Sequence, residues 1–258
     1  TAYEMLRSLV GSEMCIRESI KGGGRILLII FILFETFAVC YIGIRTNYFR
    51  RYAEKFGWVE KTKVNQVWAV KCWTNTIKQL HLRTDVAFFG DSMTYFGDFD
   101  ELFSDLSVCN LGFCEDTPNG MLGRMDMIRF AKPKKVFLMA GINGLKDSSL
   151  SDFRSSYTEL VDSILSIGDL KLYVQSILPV NKSVYDLCAD FEKVQMANKI
   201  IRDIAKQRNL IYIDLFSLYE ENENLPMKYT FDGIHLKKES YQIWRDAITE
   251  YVYEQKTR

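Results

Sequence analysis

The sequence predicts a three-layer α/β/α sandwich built on a five-stranded parallel sheet. From Asp85 onward, short apolar runs of strand length alternate with longer amphipathic runs, and such alternation means parallel pairing through right-handed crossovers. The strand runs, Val86-Ala87-Phe88-Phe89 and Val136-Phe137-Leu138-Met139 among them, are apolar throughout, as strands covered on both faces are. The chain has 258 residues, 48% hydrophobic and 26% charged, enough for one such domain with a small appendage.

The elements follow in order. Asn65 to Leu80 places Val67, Val70, Trp73, Ile77 and Leu80 at spacings of three and four, which predicts an amphipathic helix with those residues inward. Strands are expected at residues 85–89, 106–110, 135–139, 170–177 and 210–213. Helices are expected between them at residues 119–130, 151–167 and 190–207, with a closing helix at 238–254. In such a sheet, sites form beyond the carboxyl ends of the strands, so the residues just after each strand carry the interest.

Ahead of this domain (residues 83–258) the sequence divides into three parts. Residues 26–44, from Ile26 to Ile44, read ILLIIFILFETFAVCYIGI between Arg25 and Arg45. A helix of that length spans roughly 28 Å, close to a bilayer core, and a single transmembrane anchor is expected there. Glu35 sits mid-span at a cost of roughly 2.5 kcal/mol or more, which the surrounding Ile, Leu and Phe offset. Residues 1–25 form an N-terminal segment whose Tyr3 to Ser19 stretch resembles a translated sequencing adaptor, and it stays outside the fold prediction. Residues 45–82 read as a helical linker. Basic residues flank the anchor on both sides, so the positive-inside rule is nearly balanced.

Charge and cysteine usage narrow the function classes. Lys plus Arg and Asp plus Glu balance at 33 each, leaving no broad positive field for nucleic acid. The six cysteines, Cys15, Cys40, Cys72, Cys109, Cys114 and Cys188, form no CxxC pair, and none lies near a histidine in a metal-ligand spacing. They read as small buried residues, with a disulfide left open. The histidines are His81 and His235, and His81 falls before the first strand, at the wrong end.

Four short motifs stand at the carboxyl ends of strands or before the last helix. Gly90-Asp91-Ser92-Met93 lets the chain turn sharply into a helix and expose a hydroxyl. Asn110-Leu111-Gly112-Phe113 offers a bare backbone N–H. Gly141-Ile142-Asn143-Gly144 offers a side-chain amide donor. Asp232-Gly233-Ile234-His235 puts a carboxylate and an imidazole three apart on one loop, where the first can orient the second. Taken singly, each motif is also a common cap or turn.

Together and in this order, the four resemble the SGNH (GDSL-type) hydrolase family, with its flavodoxin-like arrangement, over about Asp85 to Tyr251. The resemblance implies Ser92 as nucleophile, His235 as general base and Asp232 as its orienting acid. It implies an oxyanion hole of the Ser92 N–H, the Gly112 N–H and Asn143 Nδ2. Glu115 stands where a second glycine often follows in the family, and Gly144 where many members carry Asp. The G-x-S-x-G elbow of another hydrolase fold is absent.

An esterase is therefore expected. A serine hydroxyl needs a base to become nucleophilic, and an imidazole can take that proton near neutral pH. No cofactor or metal is called for. Acetyl groups on carbohydrate are the first expected substrates and lysophospholipid or other lipid esters the second. Acyl transfer to a sugar would use the same residues, and a non-catalytic envelope-anchored binding module is the reading of another class. The resemblance also implies a catalytic domain facing outward from the membrane. Among the aromatics near the motifs, Phe89, Tyr95, Phe96, Phe99, Phe103 and Phe113, packing is expected for most.

Overall fold

The computed structural model describes residues 64–80, 84–145, 147–185 and 190–254. The expected transmembrane anchor, the segment before it, most of the linker, and His81 lie outside the described residues. Among the described residues no helix is long and apolar enough to cross a membrane.

Five parallel strands form one sheet: β1 (Val86–Gly90), β2 (Val108–Gly112), β3 (Lys135–Met139), β4 (Lys171–Gln175) and β5 (Ile211–Ile213), in the order β2-β1-β3-β4-β5. Side chains on both sheet faces are buried. On one face Phe89, Leu111, Leu138 and Val174 meet α1 (Val64–Leu80), α4 (Pro118–Leu122), α5 (Asp126–Ala131), α6 (Leu150–Leu165) and α7 (Phe191–Gln207). On the other, Phe88, Phe137, Tyr173 and Ile213 meet α3 (Phe99–Leu102), α8 (Phe216–Tyr219) and the closing helix α9 (Tyr241–Tyr253). Phe88, Phe99, Phe137 and Tyr173 stack ring upon ring beneath α9. The expected strands are present; β3 has the expected bounds, and the others are shifted by one or two residues or shortened at their ends.

The helices differ from expectation in instructive places. The stretch expected as one helix over residues 119–130 is two, α4 and α5, separated by Gly123, Arg124 and Met125. Thr117 caps α4 by accepting from the Gly120 N–H at 3.1 Å, and Pro118 occupies its first turn. The break turns Arg124 inward, where it is 3% exposed. A 3-10 turn (Lys238–Ser240) leads into α9. Helix α1 falls in the same compact unit as the sheet. In α1, Ile77 is fully buried as expected, but Trp73 is 40% exposed.

The strand order reverses between β1 and β3, so the chain leaves β1 toward one face and β3 toward the other. That opens a crevice at their carboxyl ends. Ser92 follows β1 and Asn143 follows β3. Gly90, Gly112 and Met139 are in register across β1, β2 and β3, which brings the first three sequence motifs to one end of the sheet.

Candidate active site

Ser92 opens the short helix α2 (Ser92–Tyr95). Asp91 caps it, its carboxylate accepting the Met93 N–H at 3.0 Å. Gly90 lets the chain pass at close quarters, since a Cβ there would lie 2.6 Å from the Met139 carbonyl oxygen and closer still to Thr94 Oγ1. Ser92 is buried but for its site face. Its Oγ lies 3.0 Å from His235 Nε2. On the far side of the ring, His235 Nδ1 is 2.6 Å from Asp232 Oδ2. The serine, imidazole and carboxylate expected to converge therefore do so in a continuous line.

The loop bearing the last two is internally braced. Asp232 Oδ1 accepts the backbone N–H of His235 at 2.8 Å and of Ile234 at 3.1 Å. Thr230 Oγ1 donates to the His235 carbonyl oxygen at 2.7 Å and accepts the Gly233 N–H at 3.0 Å. Gly233 has φ of 92°, a conformation glycine adopts at little cost. Burial pushes the Asp232 carboxyl up, but the bonds from the His235 ring and from the two backbone N–H groups outweigh it and hold the group below the usual carboxylate value. Phe96 meets the imidazole edge-on with ring centres 5.1 Å apart, and Phe231 stacks at 5.9 Å. Both phenylalanines are largely exposed, unlike Phe89, Phe99 and Phe103, which are buried.

The predicted oxyanion hole needs one correction. The Gly112 N–H is already donated to Asn110 Oδ1 at 2.9 Å. A Cβ on Gly112 would lie 2.2 Å from the Tyr95 nitrogen. Gly112 is thus a glycine because α2 packs on the end of β2, and its amide is spent. The positive φ in this region belongs to Glu115, at 59°. Among the described residues, the Glu115 N–H makes no backbone hydrogen bond in this loop. Asn143 Nδ2 donates to the carbonyl oxygen of the adjoining Asp116 at 2.9 Å. An amide nitrogen carries two hydrogens, so one remains for a substrate oxygen.

A support that the sequence prediction missed lies beneath these groups. Arg124 donates to the Gly90 carbonyl oxygen at 2.8 Å, the Leu111 carbonyl oxygen at 2.7 Å and Asp116 Oδ2 at 2.6 Å. Its guanidinium also lies over the Phe89 and Phe113 rings, 4.2 and 4.9 Å from their centres. One buried cation thus joins the ends of β1 and β2 to the loop that holds Asn143. The available signal was a charged residue flanked by Met121, Leu122, Met125 and Met127, eight residues after Asp116.

Asp91 is fully buried, and burial pushes its carboxyl up to about 7, against the opposing hydrogen bond from Met93. Among the described residues, Cys72, Cys109 and Cys114 form no disulfide. Among the described residues no group of His, Cys, Asp and Glu side chains is gathered to hold a metal ion.

Comparison with known proteins agrees with this geometry. The model of the GDSL-like Lipase/Acylhydrolase family matches residues 88–243. No curated protein matches the chain. Among solved structures, a protein from Streptococcus pneumonia is similar with a TM-score of 0.65 and 21% identity, over 74% of this chain and 97% of that one. A GDSL-like lipase from Bacteroides thetaiotaomicron is similar with a TM-score of 0.57 and 19% identity, over 79% and 96%. The acetyl xylan esterase AlAXEase gives a TM-score of 0.57 and 19% identity, over 65% and 98%. At such identities these likenesses establish the fold.

Proposed function

We propose, from the premise that the chain belongs to the GDSL-like lipase/acylhydrolase family, that it hydrolyses esters through an acyl-Ser92 intermediate. The observation that carries this is the 3.0 Å approach of His235 Nε2 to Ser92 Oγ, with Asp232 behind the ring.

His235 Nε2 takes the hydroxyl proton as Ser92 Oγ attacks the ester carbonyl carbon. The carbonyl oxygen becomes an oxyanion, met by the Ser92 N–H, the second Asn143 Nδ2 hydrogen and the Glu115 N–H in place of the Gly112 N–H. The protonated imidazole, held by Asp232, then gives its proton to the leaving alcohol oxygen, and the carbon–oxygen bond breaks. Water, deprotonated by the same nitrogen, attacks the acyl-serine and releases the acid. Each oxyanion donor contributes about 3 kcal/mol to barrier lowering in comparable sites.

The leaving alcohol must face His235, which supplies its proton. On that side Phe96 borders a polar hollow of about 170 Å³ that Asp98, Glu101, Lys238 and Arg245 also line. Such groups suit a polyhydroxylated alcohol, which supports the carbohydrate expectation. So does the name of the acetyl xylan esterase among the similar structures. The apolar stretch at residues 26–44 supports a membrane-tethered enzyme acting on envelope glycans, with recovery in the membrane fraction as its test.

Labelling with a fluorophosphonate, followed by peptide mapping, tests the nucleophile. Modification of Ser92 is expected, and a label on any other residue overturns the assignment.

A further inference from the structure

The structure assigns Asn110 as a positioning residue: its side-chain amide grips the C-terminal end of α2 and so holds Ser92 in line with His235. The inference rests on the acyl-Ser92 reading above.

The amide of Asn110 is fully committed to the chain. Its Nδ2 donates to the Thr94 and Gly97 carbonyl oxygens, both at 2.8 Å, and its Oδ1 accepts the Gly112 N–H at 2.9 Å. Two carbonyl acceptors at one end and an N–H at the other fix which way the amide points. Both Nδ2 hydrogens are spent on backbone, so Asn110 acts on the helix and not on the ester.

Helix α2 needs such a grip. It is four residues long, and a single turn gains too few internal hydrogen bonds to offset the ordering of its backbone. Its amino end is held by the Asp91 carboxylate on the Met93 N–H, at 3.0 Å. Its other end is held from β2, the strand beside β1. Gly112 lets α2 come this close, since a Cβ there would lie 2.2 Å from the Tyr95 nitrogen. Ser92 thus stands between two side-chain anchors, one before it in the chain and one reaching across from the neighbouring strand.

The same grip reaches the base. The two carbonyl groups that Asn110 binds bracket Tyr95 and Phe96 in sequence. The Phe96 ring meets the His235 imidazole edge-on, with centres 5.1 Å apart. One amide therefore fixes both the nucleophile and an aromatic wall of the ring that activates it. An ionised carboxylate in its place would have no hydrogen to donate and would set its charge against two carbonyl oxygens. An apolar side chain of the same size would leave those oxygens and the Gly112 N–H without partners.

The test compares Asn110→Asp and Asn110→Leu with the wild type on p-nitrophenyl acetate between pH 5 and pH 8. A misplacement of about 1 Å at a reacting group costs up to about 100-fold. Each variant should therefore lose about 10- to 100-fold in kcat at pH 8, while KM changes little. In Asn110→Asp the loss should shrink as pH falls, because the protonated carboxyl regains an O–H donor for one of the two carbonyl groups. In Asn110→Leu the ratio to wild type should stay level. A role confined to stability predicts instead a lower thermal midpoint, with wild-type kcat for each Ser92 that takes a fluorophosphonate label. Wild-type kcat in Asn110→Asp overturns the proposal, as does a loss in that variant that is the same at every pH. Should Asn110→Leu not fold, Asn110→Asp alone decides. A wild-type Ser92 that takes no label would overturn the acyl-serine reading itself, whereas a labelled Ser92 with full turnover in Asn110→Asp removes Asn110 alone.

Discussion

Arg124 Nη2 donates to the carbonyl oxygen of Gly90 at 2.8 Å, two residues before the nucleophile. The same guanidinium grips Asp116, whose own carbonyl oxygen holds Asn143. Removing the cation would leave a part-buried carboxylate and two strand-end carbonyl groups without their donor. Arg124→Met is expected to destabilise the fold by about 3–5 kcal/mol, measured by urea denaturation. A loss below about 1 kcal/mol would show the clamp to be dispensable.

The carboxylate of Asp232 fixes which ring nitrogen of His235 faces the serine. Asp232→Asn keeps the shape but removes the charge that stabilises the imidazolium and favours the correct tautomer. The expected result is a fall in kcat of about 100-fold or more on p-nitrophenyl acetate, with little change in the thermal midpoint. Wild-type kcat in this variant would remove Asp232 from the catalytic line.

Asn143 and Gly112 should part company on mutation. Asn143→Ala is expected to lower kcat by roughly 100-fold or more while KM changes little. Gly112→Ala should act on stability, because its new methyl group would lie 2.2 Å from the Tyr95 nitrogen. Circular dichroism melts beside steady-state kinetics distinguish the two, and a stable Gly112→Ala protein would contradict the close approach.

Asp91 makes a pH-dependent contribution of definite sign. Its carboxyl is raised from 3.8 to about 7 in the folded protein, so between those values the folded state binds more protons than the unfolded. Stability from this group is therefore lost as pH rises from about 4 to about 7. Asp232, shifted the other way, contributes stability that is lost only as pH falls below the ordinary carboxylate value. Asp91→Asn should raise the thermal midpoint more at pH 8 than at pH 5, and an equal change at both would refute the assignment.

The sheet was legible because its strands are short apolar runs, and a strand buried on both faces reads the same whichever residue begins it. Ser92, Asp232 and His235 were legible because their motifs fall where a parallel sheet places its site. Gly112 misled because a glycine at a strand end serves close packing and amide donation alike, and only the position of Tyr95 separates them. Glu115 gave no sign of its left-handed backbone, which glycine or asparagine usually supplies. Arg124 was hidden inside a run that reads as one helix; its partners lie 34 and 13 residues away, beyond any local pattern. Trp73 fitted the apolar face of α1, but periodicity cannot tell a face that is covered from one that is open.

The serine and its base lie 143 positions apart in the chain, and α9 is fixed beside them by Tyr241, which donates to the Met93 carbonyl oxygen, and by Trp244, which donates to Gln175. A ribosome thus releases the nucleophile long before the histidine that activates it. Until the segment carrying His235 has emerged, the Ser92 hydroxyl has no base beside it.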